Sequence, residues 1–151
     1  MKECVKKAKV CRKGRDDANK KISDLKGLRS DAHGRINKQL DQLNQLKDKR
    51  DKLNKIAKMH TASLEKAYAH ELYVFIRADI PLKHEIGAYD RLKELGDGLN
   101  VSREADGIHK EIVPIYKQVK ELHKDADAIH QSIQSLADES QHHHDELLSV
   151  Y

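Results

Sequence analysis

Two heptad patterns of nearly equal length flank one short segment, Arg77-Ala78-Asp79-Ile80-Pro81. The first runs from Cys4 to Val74 and the second from Leu82 to Tyr151. Apolar residues at heptad positions a and d form a narrow stripe along a helix, and a second helix must cover that stripe. A proline between two such stripes favours a fresh helix start. The chain is therefore predicted to be all-α, a long antiparallel two-helix coiled-coil hairpin. It reads as a single domain with arm one at 3–76, the turn at 77–81 and arm two at 82–151. If the chain reverses near residue 79, residues i and about 158 − i lie level, and neither arm overhangs far.

The composition fits a thin seam better than a thick core. Hydrophobic residues make up 38% of the chain and charged residues 36%, against about 45–50% and 25% in globular domains. There is no Trp and only 1 Phe. A seam needs only two apolar positions in seven, which this chain supplies. The sustained periodicity argues against disorder, the usual reading of so charged a chain. No apolar run reaches the roughly 18 residues of a membrane span. Lys2, Lys6 and Lys7 resemble the start of a signal peptide, but no apolar stretch follows them. The expectation is a cytoplasmic protein.

With Ala8 at a and Cys11 at d, the a series of the first arm is Arg15, Ile22, Arg29, Ile36, Leu43, Arg50, Ala57, Leu64 and Glu71. The d series is Ala18, Leu25, Ala32, Gln39, Leu46, Leu53, His60, Ala67 and Val74. The second arm holds register from Ala105, with Ile112, Val119, Ala126, Ile133, Ser140 and Leu147 at a. Ile108, Ile115, Leu122, Ile129, Leu136, His143 and Val150 stand at d. Between the tip and Ala105 the frame breaks, because Leu92, Leu95 and Leu99 do not join the later series. Gly96-Asp97-Gly98 and Asn100 mark the mismatch near 96–101, which predicts a helix end or a sharp irregularity there, with Ser102 as the N-cap of a following helix. It falls level with His60-Thr61-Ala62-Ser63, so a hinge with both arms soft is expected there. Pro114 sits at an outward position and predicts a kink. Asp79 or Ile80 is expected to cap the returning helix, with Pro81 in its first turn.

Charge is divided between the arms. Residues 1–76 hold 20 Lys+Arg against 10 Asp+Glu, and residues 77–151 hold 9 against 15. Pairing a basic arm with an acidic one would fix the antiparallel partner. On the register above, Arg15, Arg29 and Arg50 would reach Glu139/Asp145, Asp125/Asp127 and Asp106/Glu111. Pairing alone does not explain the first 21 residues, where 9 basic residues face 3 acidic ones, a balance of +6. Lys6, Lys7, Lys9, Arg12, Lys13, Arg15, Lys20 and Lys21 are the candidate phosphate contacts, and such a surface would bind RNA with strong salt dependence.

Ten histidines are present. His109, His123, His130 and His144 share position e with Tyr116 and Tyr151, beside the seam. They read either as amphipathic rings widening the seam or as a pH-sensitive strip. His142, His143 and His144 point about 100° apart on a helix and do not converge on one ion, so no metal site is expected. Cys4 and Cys11 are too far apart for an intrahelical disulfide and read as small buried thiols. Tyr68, Tyr73, Phe75 and Tyr89 gather near the turn with Ile80. They form either a knot closing the hairpin or an exposed tip that docks on a protein. No nucleophile elbow, phosphate loop or metalloprotease motif occurs. The chain is not expected to be an enzyme or to carry a cofactor.

Arg15-Asp-Asp-Ala-Asn19 and Arg50-Asp-Lys-Leu-Asn54 repeat five heptads apart. Ala105-Asp-Gly-Ile-His109 and Ala126-Asp-Ala-Ile-His130 repeat three heptads apart, and Leu136-Ala-Asp-Glu-Ser-Gln-His-His-His144 follows. Together these motifs resemble the archaeal coiled-coil proteins with early Arg-Asp-x-x-Asn and late Ala-Asp-x-x-His repeats. Some of those carry a phosphoserine phosphatase label, but the aspartyl nucleophile motif of such enzymes is absent here. The family is in turn distantly similar to eukaryotic coiled-coil proteins found with polysomes. The resemblance implies association with rRNA or ribosomes. The resulting expectation is a ribosome- or ribonucleoprotein-associated factor, contacting RNA through the basic first helix and protein through the tip. The alternative is a coiled-coil scaffold with protein partners only, and homodimerisation is open in either case.

Overall fold

The computed structural model describes residues 2–77 and 79–149. It is all-α. Helix α1 spans Lys2–Ala57, α2 spans Thr61–Arg77 and α3 spans Leu82–Ser149. The first arm is α1 followed by α2, and α3 packs antiparallel to it. Contacts divide the chain into two compact units, residues 1–40 with 118–151, and residues 41–117. Val150, Tyr151 and Ala78 lie outside the described residues.

In the first unit the seam follows the heptad frame. Ala18, Ile36, Val119, Ala126 and Ile133 are buried. Ala8, Ile22, Leu25, Ala32, Leu122, Ile129 and Leu136 are half-buried at the remaining a and d places. Polar seam members find each other across the arms. Gln39 Nε2 donates to Gln118 Oε1 at 3.2 Å, and Ser140 Oγ donates to Asn19 Oδ1 at 2.9 Å. These pairs sit at the levels that a reversal near residue 79 predicts.

The second unit buries Leu43, Ala57, Leu64, Ala88, Leu92, Leu99, Ala105, Ile108 and Ile112. Here the structure departs from the expected break. Helix α3 runs uninterrupted through Gly96–Asn100, and Ser102 is not an N-cap but a mid-helix residue only 3% exposed. The frame change is absorbed within the helix. Leu99, Ser102, Ala105 and Ile108 follow at steps of three, and all four are buried. Such a three-residue offset locally overwinds a coiled coil without breaking its helix.

The break falls on the other arm, at Lys58–His60, at the level where both arms were expected to be soft, and only this arm interrupts its helix. Helix α1 ends in a left-handed cap. Lys58 has φ 62°, and its N–H reaches the Asn54 carbonyl at 3.1 Å. His60 then supplies the first carbonyl of α2, accepting from Ser63 and Leu64 at 3.0 Å. Gly98 faces this chain end. A Cβ there would lie 3.9 Å from the Ala57 carbonyl oxygen and 3.7 Å from Leu64, ordinary van der Waals contact, so the two arms touch closely at this level. Thr61 closes the corner, with its hydroxyl 2.5 Å from Ser102 Oγ and donating to Asp106 Oδ2 at 2.6 Å. Ser102 can thus occupy the seam because a hydroxyl from the bend satisfies it.

A lysine in the left-handed region carries a steric cost of roughly 1–2 kcal/mol. Lys58→Gly is expected to raise stability by about 0.5–1 kcal/mol in urea denaturation, after the added freedom of the unfolded chain is subtracted. A loss of stability would show that the Lys58 side chain matters more than its backbone geometry.

At the tip, the first carbonyl acceptor of α3 is Pro81 rather than Asp79 or Ile80. It accepts from His84 at 2.7 Å and Glu85 at 3.1 Å. The proline ring fixes φ near the helical value just where the helix must begin. Pro114 lies inside α3 on an exposed face, and the helix continues through it. Its missing N–H deprives only the Lys110 carbonyl of a helical partner.

Candidate functional site

The basic end of α1 is an open surface. Lys6, Lys7, Lys9, Arg12, Lys13, Lys20 and Lys21 are all exposed, and Arg15 is half-buried. Among the described residues, Arg15 is the only one of these eight in a salt bridge, at 2.9 Å from Asp16. Lys6, Lys13 and Lys20 share one outward heptad position, so they line up roughly 10 Å apart along the helix.

The seam arginines do not reach the acids expected of them. Arg15 and Arg50 each turn to the next residue of their own helix, Asp16 at 2.9 Å and Asp51 at 2.8 Å. Across the seam, Arg29 and Arg50 meet histidines instead. Arg29 Nη1 lies 2.9 Å from His130 Nδ1, and Arg50 Nη1 lies 3.4 Å from His109 Nδ1. The Asp of each Arg-Asp motif sits one residue from its arginine, within easy reach of the fork. Of the acids opposite, Asp106 is taken by Thr61 and the others are exposed, while position e places an imidazole beside the seam. A guanidinium only donates, so Nδ1 accepts and the ring proton sits on Nε2. The Gln134 side-chain amide, 3.2 Å from His130 Nε2, must then present its oxygen. Two members of the histidine row, His130 and His109, are thus cross-seam partners of seam arginines.

Arg29 makes no ion pair among the described residues, and its stem is half-buried at a core position. Arg29→Leu is expected to leave stability unchanged or raise it, because it replaces a polar contact with seam packing. A loss above about 2 kcal/mol on urea denaturation would show that the arginine–histidine contact is required.

The cysteines also differ from expectation. Cys4 is exposed and Cys11 is half-buried. Cys11 Sγ donates to Glu146 Oε2 at 3.6 Å. Burial, and then the neighbouring Glu146 carboxylate, push the Cys11 thiol up. His143 Nδ1 lies 3.6 Å from the same carboxylate oxygen. Cys11, His143 and Glu146 form a group whose donor atoms all lie within 4.8 Å. Spacing along one helix could not show this group, since its members come from both arms. The register could have, because the level rule sets Cys11 beside residue 147.

The tip is more exposed than a closed knot. Tyr68, Val74, Phe75 and Ile80 are half-buried. Tyr73 and Tyr89 are exposed, and Ile76, Leu82 and Ile86 are 71%, 73% and 62% exposed. The Arg77 guanidinium lies 5.1 Å from the centre of the Tyr73 ring. No helix among the described residues is long and apolar enough to cross a membrane.

The fold and these surfaces define an antiparallel helical-hairpin protein with a basic open end and an apolar tip. The chain belongs to DUF7121, a family of unknown function, which it matches over residues 1–151. No curated protein and no solved structure matches it.

Proposed function

We propose that this protein is a cytoplasmic, ribosome- or ribonucleoprotein-associated coiled-coil factor that contacts RNA phosphates through the basic end of α1. The observation that supports this most is the run of exposed cations at Lys6, Lys7, Lys9, Arg12, Lys13, Lys20 and Lys21, outside any ion pair among the described residues. A charged face that served only to choose its partner arm would spend its cations on that arm. These cations face water, where phosphate is their natural partner. The sequence resemblance to archaeal coiled-coil proteins, and more distantly to polysome-associated ones, points the same way. The role is binding rather than catalysis, and the exposed tip around Tyr73 and Tyr89 contacts protein.

Fluorescence anisotropy with a labelled, structured rRNA fragment tests this reading. Affinity is expected to fall steeply with salt, at a log–log slope of about −0.7 to −0.9 per phosphate neutralised. Affinity that does not respond to salt, or no binding at 50 mM salt, would refute it.

The apolar tip favours a second reading, a scaffold that binds only proteins. Concentration-dependent sedimentation with no affinity for RNA is the outcome that reading requires.

A further inference from the structure

We infer that Cys11, His143 and Glu146 form a zinc site that ties the open end of the hairpin together. The three donors are a soft sulfur, an imidazole nitrogen and a carboxylate oxygen, a set that Zn²⁺ accepts. The spacing of Cys11 and of His143 from Glu146 also fits, and the remaining pair lies near enough to close on an ion by side-chain rotation. Zinc–ligand bonds of about 2.0–2.3 Å at tetrahedral angles set neighbouring donors roughly 3.3–3.8 Å apart. Cys11 Sγ and His143 Nδ1 each stand 3.6 Å from Glu146 Oε2, and the whole set lies within 4.8 Å.

Two further observations mark a built site rather than a chance meeting of side chains. His143 Nδ1 is buried and has no hydrogen-bond partner. A buried ring nitrogen without a partner is costly unless something else binds it. The ring is also seated against a helical glycine. A Cβ at Gly14 would lie 2.8 Å from His143 Nε2 and 3.0 Å from Cδ2. Glycine inside a helix costs about 1 kcal/mol relative to Ala, and at Gly14 that cost makes room for the imidazole.

Charge balance completes the picture. Binding releases the Cys11 thiol proton to solvent, and thiolate and carboxylate together neutralise the ion. His142 Nε2 lies 3.4 Å from the other Glu146 oxygen, and Glu139 lies 3.9 Å from His143 Nε2. These neighbours orient the donors, and water takes the fourth position. Lys7, the nearby cation that favours the Cys11 thiolate, stands one helical turn before it. The site does not depend on the RNA reading.

Cys4 is a built-in control, since it is exposed and belongs to no such cluster among the described residues. The test is alkylation of the reduced full-length chain by iodoacetamide, with and without equimolar Zn²⁺, resolved for each cysteine by mass spectrometry. Zinc is expected to slow modification of Cys11 by about tenfold or more, because the metal-bound thiolate is shielded, and to leave Cys4 unchanged. Protection should disappear in His143→Ala and in Glu146→Gln, each checked for unchanged helicity by circular dichroism. Gly14→Ala should weaken it by displacing the ring. Equal protection of both cysteines would overturn the proposal, as would no protection, or protection of Cys11 that survives both substitutions. These outcomes are read on the wild-type chain as well as the variants, so a misfolded variant does not decide the matter.

Discussion

Reversing three charges, Lys6→Glu, Lys13→Glu and Lys20→Glu together, is expected to lower RNA affinity by about 100-fold or more at 100 mM salt. The three side chains stand in one outward row, so RNA lying along that face loses three contacts and meets three repulsions. The balance of residues 1–21 falls from +6 to 0, since each exchange changes it by two. Helix content should not fall. The three positions are exposed, and Glu forms helices about as well as Lys. A parallel circular dichroism melt therefore separates lost binding from lost structure. The salt slope should become shallower by about 2–3, in proportion to the phosphates no longer neutralised. Affinity unchanged by this triple reversal would mean that the basic end is only a solvated face.

Ile36→Ala is expected to destabilise the hairpin by about 2–5 kcal/mol. Ile36 is 2% exposed, and it is the largest side chain this fully buried among the described residues. The seam is thin, so few neighbours can move in to fill the lost volume. The better helix propensity of Ala offsets only a few tenths of a kcal/mol. Leu28→Ala is the matched control, because Leu28 is 56% exposed and should change stability by less than about 0.5 kcal/mol. Urea denaturation followed at 222 nm gives both values. A loss at Ile36 no larger than that at Leu28 would contradict the register on which the fold rests.

The parts of this fold legible in the sequence are those that depend on periodicity. Ala18, Ile36, Leu43, Ala57 and Leu64 fall on the predicted a and d positions and are buried. So do Ala105, Ile108, Ile112, Val119, Ala126 and Ile133 on the second arm. A heptad frame states which residues face inward, and no other information is needed for that. It does not state which arm yields when two frames disagree. The glycines at 96 and 98 pointed to α3, yet α3 stays helical, because Leu92, Leu95 and Leu99 still bind it to the first arm. The opposing arm breaks instead at Lys58, level with those glycines as the hinge expectation placed it, but without a glycine or proline of its own.

Side-chain destinations were less legible than burial. Charge suggested that Arg29 and Arg50 would seek acids across the seam, but a long side chain has several partners in reach. Imidazoles beside the seam took those contacts for Arg29 and Arg50. The Cys11, His143 and Glu146 group required both arms and their register at once. The exposure of Ile76, Leu82 and Ile86 depended on how tightly the turn closes, which composition near a proline does not determine.

The most direct test of the central claim is a sucrose-gradient profile of lysate from the native organism, blotted for this protein at low and high salt. Co-migration with ribosomal subunits or whole ribosomes is expected at low salt, with release toward the top at high salt, as phosphate contacts demand. Retention at the top of the gradient in both salts would contradict it.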